Sequence, residues 1–179
     1  MTIPYQIILD TNVLLAGLRS SRGASYKLLS ILNDTRWRLN ISTTLIFDYE
    51  EILKRQKDQL TLNNQDIDNI IEALCAISNQ CNIFYLWRPI ARDPDDDFLI
   101  DLAMECQAEF IITYNQKDLQ AAEKFGIRVL TPKEFWLYRT CYANLTTGSR
   151  EQGTGNREQR LRRNIQAFSS ITNIISLIR

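Results

Sequence analysis

Tyr5-Gln6-Ile7-Ile8-Leu9-Asp10-Thr11-Asn12-Val13-Leu14-Leu15-Ala16 is an apolar run that stops on an acid and resumes almost at once. Its first half reads as a buried strand and its second half as the opening of a helix. A strand that ends on a carboxylate holds that group at the carboxyl edge of a sheet, where open α/β sheets build their active sites. Asp10 is therefore a first candidate metal ligand, and its companions must come from elsewhere in the chain.

The rest of the chain repeats the strand-then-helix pattern. Strand-like runs fall at Arg38–Ser42, Ile83–Leu86, Phe110–Thr113 and Arg128–Leu130. Helical periodicity fills residues 11–18, 24–34, 44–57, 65–79, 94–107, 116–125 and 132–139. Alternation of this kind predicts an α/β fold with a mostly parallel sheet covered on both faces. Ser42 or Thr43 is expected to cap the third helix, Asp66 to begin the fourth, and Asp93-Pro94 to open the fifth. Gly126 should end the sixth helix and Thr131-Pro132 should start the last.

The domain is expected to span residues 1–143. Residues 144–163 are polar, and Gly148-Ser149-Arg150-Glu151-Gln152 returns as Gly155-Asn156-Arg157-Glu158-Gln159. Such a segment buries too little apolar area to offset its ordering entropy, so a disordered linker is expected there. Residues 164–179 are expected to form a short amphipathic helix or tail. Net charge is zero overall, but residues 144–179 carry six Arg against two Glu, which leaves residues 1–143 at −4. Nucleic-acid binding thus has no signature in overall charge.

Absent residues narrow the chemistry. With no His in the chain, Ser-His and Cys-His triads and His-ligated zinc or iron are excluded. The four Cys (75, 81, 106 and 141) form no C-x-x-C pair and read as reduced residues of a cytoplasmic protein. No basic leader opens the sequence and no apolar run reaches transmembrane length.

Carboxylates cluster near four expected strand ends. In the third helix, Leu45, Tyr49, Ile52 and Leu53 define the buried stripe. Asp48 lies nearest its margin, with Glu51 in reserve, while Glu50 and Glu51 are placed to pair with Lys54 and Arg55 at i, i+4. In Asp93-Pro94-Asp95-Asp96-Asp97, Asp93 caps, and Asp95 and Asp96 gain from the first helical turn. Asp97 gains least from those effects and shares a helix face with Asp101, yet helical phase alone does not select it. Carboxylates without His or Cys suit Mg²⁺ or Mn²⁺. Three or four of them could hold one or two ions that activate a water against a phosphodiester.

These segments together resemble the PIN domain, in particular small bacterial PIN proteins described as toxins of toxin–antitoxin pairs. The resemblance runs from Ile7–Val13 through Ser42–Leu53, Arg92–Asp97 and Ala108–Thr113 to Thr131–Phe135. It implies a three-layer α/β/α sandwich and a Mg²⁺- or Mn²⁺-dependent endoribonuclease that cuts single-stranded RNA. It further implies a small antitoxin partner and a homodimeric state. By position, Asp10, Asp48 and Asp97 become the metal-binding acids. Asn12, Thr113, Asn115, Asp118 and Asp101 become their supporting or substrate-side residues. Two departures stand out: Asp48 replaces the usual Glu, and Asn115 stands where many members carry Asp.

Two other readings compete. A catalytically weak PIN-like module that binds RNA or protein is kept open by positions 48 and 115. A haloacid-dehalogenase-type phosphatase also opens on a strand-end Asp, but it needs an acid two residues later, and position 12 is Asn.

Overall fold

The computed structural model describes residues 4–143, with side chains through residue 138. The apolar runs assemble into one five-stranded parallel sheet in the order β3-β2-β1-β4-β5. Its strands are β1 (Tyr5–Leu9), β2 (Trp37–Ile41), β3 (Asn79–Gln80), β4 (Phe110–Ile112) and β5 (Arg128–Leu130). Helices α1 (Thr11–Arg19), α2 (Ala24–Leu29), α3 (Thr43–Leu60), α4 (Asn64–Ile77), α5 (Asp97–Glu105), α6 (Gln116–Leu119) and α7 (Pro132–Ala143) connect and cover them. This is the expected three-layer α/β/α architecture. The expected linker over 144–163 and tail over 164–179 lie outside the described residues.

β1 is the axis of the sheet because both of its faces are apolar. Ile7, Ile8 and Leu9 are fully buried, and each such side chain contributes about 1.5–3 kcal/mol of burial. From β1 the chain runs outward through β2 and β3, then returns to the other side of β1 for β4 and β5. The carboxyl ends of β1 and β4 therefore flank the point where the winding direction reverses. That crevice is where α/β sheets bind ligands, and Leu9 pairs there with Ile112. The next residues on the two strands, Asp10 and Thr113, are brought together by that register.

Most boundary signals act as expected. The Ser42 side chain accepts from the Leu45 N–H, and Asp93 caps by accepting from the Asp95 N–H. Gly126 closes its turn at a φ of 82°, where glycine escapes the Cβ penalty. Asp66 does not begin α4. Asn63 caps that helix, and the two side chains bond reciprocally to each other's backbone N–H in a capping box. The helix expected over 24–34 is regular only to Leu29, and that over 116–125 is one α turn followed by 3-10 structure over Gln120–Phe125.

The third strand differs more. Ile83–Leu86 is not a strand, and Phe84, Tyr85 and Leu86 face solvent. The sheet edge is formed instead by Asn79 and Gln80. Asn79 donates its side-chain amide to Oδ1 of the buried Asn40 at 2.9 Å, and the Cys81 N–H bonds Ile41 O at 2.8 Å. A polar residue inside β2 is tolerable only with such partners, so Asn40 sets where the edge pairs. The apolar run that follows is left to other acceptors.

Gly17 in α1 sits where a Cβ would come within 2.4 Å of Leu29 Cδ1 and 3.2 Å of the Ser25 carbonyl carbon. Leu29 is buried and cannot swing away. Gly17→Ala should therefore destabilise the fold by about 1–3 kcal/mol, although Ala is the better helix former by about 1 kcal/mol. Urea denaturation checks this; unchanged or raised stability would refute the close α1–α2 contact.

Candidate active site

Asp10 is buried at the tip of β1, and its position is set by hydrogen bonds on several sides. Its Oδ2 accepts from Thr113 Oγ1 at 2.5 Å and from Asn12 Nδ2 at 2.5 Å. Its own N–H donates to Ile112 O at 2.9 Å. Asn12 also donates to Thr113 Oγ1 at 3.1 Å, and its Oδ1 accepts from the Tyr114 N–H at 3.2 Å. Thr113 Oγ1 in turn accepts from the Asn115 N–H at 2.8 Å. Asn12 and Thr113 thus clamp the carboxylate between β1 and β4. Burial pushes the Asp10 carboxyl above its ordinary value, against the lowering effect of Thr113 and the nearby amides; the charge of Asp48 adds to the rise.

Asp48 reaches this point from α3. Its Oδ2 accepts from Thr11 Oγ1, and the next residue, the fully buried Tyr49, donates its hydroxyl to Leu9 O. The helix is thereby locked against the end of β1 at the residue following the acid. Glu50 and Glu51 pair outward with Lys54 and Arg55, as their spacing predicts.

The run Asp93–Asp97 resolves differently from the sequence expectation. Pro94–Asp96 is a 3-10 turn, and α5 begins only at Asp97. A 3-10 turn advances about 120° per residue against about 100° in an α-helix, so the acids before Asp97 do not continue the phase of α5. Asp96 is the one brought into the charge field of the site. Its carboxyl is pushed up to about 6, by partial burial first and then by the charges of Asp10, Asp93, Asp118 and Asp48.

Asp97, named from sequence as a metal ligand, is 2% exposed and employed as an anchor. Its Oδ1 accepts the N–H groups of Ile90 at 3.0 Å and Ala91 at 2.6 Å. Asp101 shares its helix face, as the spacing requires, but meets the same segment: its Oδ1 accepts from the Trp87 N–H at 2.7 Å and its Oδ2 from Arg88 Nε at 2.8 Å. The backbone of residues 84–91 has no strand partner, and its N–H groups need acceptors. These two acids supply them.

On the β4 side, Asn115 donates its side-chain amide to Asp118 Oδ2. Asp118 also accepts the Arg92 N–H on its backbone oxygen at 2.8 Å. Asn115 thus orients the next acid along. Among the basic residues near the first turn and Asn115, Arg19 is engaged by Gln56 and Gln59 on α3. Arg22, Lys27 and Lys117 are exposed.

The donor set is oxygen only, and its members repel one another, which fits a hard divalent cation. Among the described residues, no three acids or cysteines lie close enough to hold an ion together. Mg²⁺ needs only one or two carboxylates when waters and substrate phosphate complete its shell, and Asp10, with the charge of Asp48 acting on it, fits that role. Cys75, Cys81 and Cys106 are free thiols whose burial raises them, Cys106 to about 12, so none is poised for reaction.

Asp96 supplies a pH test. Its folded value of about 6 exceeds the ordinary 3.8, so between those limits the folded chain holds a proton that the unfolded chain has released. Its contribution to stability must then fall as pH rises through that window. In metal-free urea titrations, wild type should lose stability relative to Asp96→Asn between pH 4 and pH 7. A constant difference between the two proteins would show that Asp96 does not feel the other acids.

A family model for the PIN domain matches residues 6–117, which include Asp10, Asp48, Asp96 and Asn115 and stop one residue short of Asp118. No curated protein matches the chain at a significant level. PIN domains are generally nucleases, so a nucleic-acid substrate follows, and they generally use divalent metals. Among the described residues, no helix is long and apolar enough to cross a membrane. With the matched span covering more than half its length, and the sheet and strand-end acids in place, this chain belongs to the PIN-domain family.

Proposed function

We propose that this PIN domain is a Mg²⁺- or Mn²⁺-dependent endoribonuclease that cleaves single-stranded RNA. The observation that carries the reading is the buried carboxylate of Asp10, clamped by Asn12 and Thr113 in the crevice between the ends of β1 and β4, with Asp48 held at the adjacent Thr11. Asp10 and Asp48 would hold the cation, with Asp97, the third acid that the family resemblance implies, or its neighbour Asp96 joining through bound water. Bound there, it supplies Lewis-acid stabilisation of phosphodiester charge and a water of lowered pKa.

The chain's own groups do the positioning. Thr113 and Asn12 hold Asp10, Thr11 holds Asp48, and Asn115 holds Asp118. Asp97 and Asp101 fix the segment that precedes Asp96. Exposed Lys27 and Lys117 are placed to offset the repulsion between the acids and approaching phosphates. The toxin role, with a small antitoxin protein as partner, and the cytoplasmic homodimer come from the family resemblance and belong to the same proposal.

A second reading, an RNA-binding module without cleavage, is favoured by one observation: the described acids do not already form a tight three-ligand cluster. Purified protein with Mn²⁺ and single-stranded RNA separates the two. The nuclease reading predicts cutting that EDTA stops, that Asp10→Asn and Asp48→Asn abolish, and that Asn12→Ala lowers about 10- to 100-fold. Asp97→Asn should also lower thermal stability, because it weakens the acceptor for two loop amides. Intact RNA that is nonetheless bound would sink the nuclease reading and leave the binding module.

A further inference from the structure

Tyr114 follows the Thr113 that clamps Asp10, and it is 50% exposed. Exposed aromatic rings usually wave on a free side chain, but this one is tied at both ends. Its hydroxyl shares a 2.7 Å hydrogen bond with Ser25 Oγ, and Ser25 is 1% exposed. Its N–H donates to Asn12 Oδ1 at 3.2 Å, the same Asn12 that holds Asp10. With the hydroxyl engaged at a buried partner, solvent meets the ring. The result is a fixed apolar face beside a polar acid crevice; exposed Lys27 follows Ser25 by two residues on α2, and exposed Lys117 follows Tyr114 by three.

Neither burial nor the acid clamp requires an aromatic side chain here. A fixed ring beside a phosphodiester-cleaving crevice fits one ligand chemistry well, a nucleobase. Every base has a π-face, stacking on an aromatic side chain is tolerant of sequence, and a ring already held in place loses little entropy when a base covers it. Exposed lysines this near in sequence to Ser25 and Tyr114 suit the phosphates that flank such a base. We propose that Tyr114 is the stacking platform for the nucleobase next to the phosphodiester held at the acid crevice. The inference rests on the nuclease reading for its substrate class. It also gives a physical reason for preferring single strands, since a paired base has both faces already covered.

The test measures binding without metal, so that cleavage plays no part. Fluorescence anisotropy would follow the full chain with a short single-stranded RNA carrying an abasic site at each position in turn. At one position, loss of the base should weaken wild-type binding roughly five- to a hundredfold, the range that stacking supplies. Tyr114→Phe should keep that dependence and Tyr114→Ala should lose it, with all three proteins matched for thermal stability. The proposal is overturned if Tyr114→Ala retains the same base dependence, or if wild type shows none at any position. It is overturned equally if the substitution changes only the sedimentation of the protein, which would make the ring a contact between proteins. Parallel incubation of wild type with Mn²⁺ keeps the two readings apart. Cutting without ring–base coupling overturns this inference alone, whereas neither cutting nor binding overturns the RNA reading as well.

Discussion

A carboxylate buried at the end of the central strand is costly to hold. Moving an ionised group out of water carries a penalty of several kcal/mol unless hydrogen bonds replace the lost water. Asp10 meets that demand through Thr113 and Asn12, the first from the end of β4 and the second from the first turn of α1. The clamp therefore joins three elements across the switch point of the sheet. The register of β1 and β4 puts Thr113 in place, Tyr49 locks α3 to the same strand end, and Asn12 extends the network to Tyr114. Asp48 and the Tyr114 ring are both positioned by what surrounds this one group.

A second constraint lies in the segment between β3 and α5. Ile83–Leu86 has the composition of a strand, yet the edge beside it is already taken by Asn79, whose partner Asn40 is buried in β2. Unpaired N–H groups must then find acceptors. Asp97 and Asp101 of α5 take four donors from residues 87–91, and Glu105 accepts from the Phe84 N–H at 3.3 Å. The acidic face of α5 is thereby a structural ladder. The 3-10 turn that precedes the helix rotates Asp96 out of that ladder and into the field of the other acids.

How far the site was legible in sequence depends on how local each signal is. The place of Asp10 at a strand end was legible because an apolar run stops there, and the place of Asp48 at the margin of the buried stripe because α3 is a long regular helix; Asn12 and Thr113 came from the family resemblance alone. Asp96 was read as a first-turn charge and Asp97 was taken from the family resemblance, because helical phase chose neither; what the structure adds is that Asp97 accepts two loop amides. Tyr114 and Ser25 were not legible as a pair at all. They are 89 residues apart, and nothing in either neighbourhood announces the bond between them.

The sequence by itself determined the alternation of strands and helices, the central place of β1 and the acid at its tip, because hydrophobic period and turn chemistry are properties of neighbours along the chain. Only the tertiary structure decided that Asp97 and Asp101 hold a loop, that Asn79 rather than the richer apolar run closes the sheet edge, and that one exposed ring is fixed beside Asp10. Each of those outcomes is a competition for hydrogen-bond partners among groups far apart in sequence, and such a competition is resolved only when the fold brings them together.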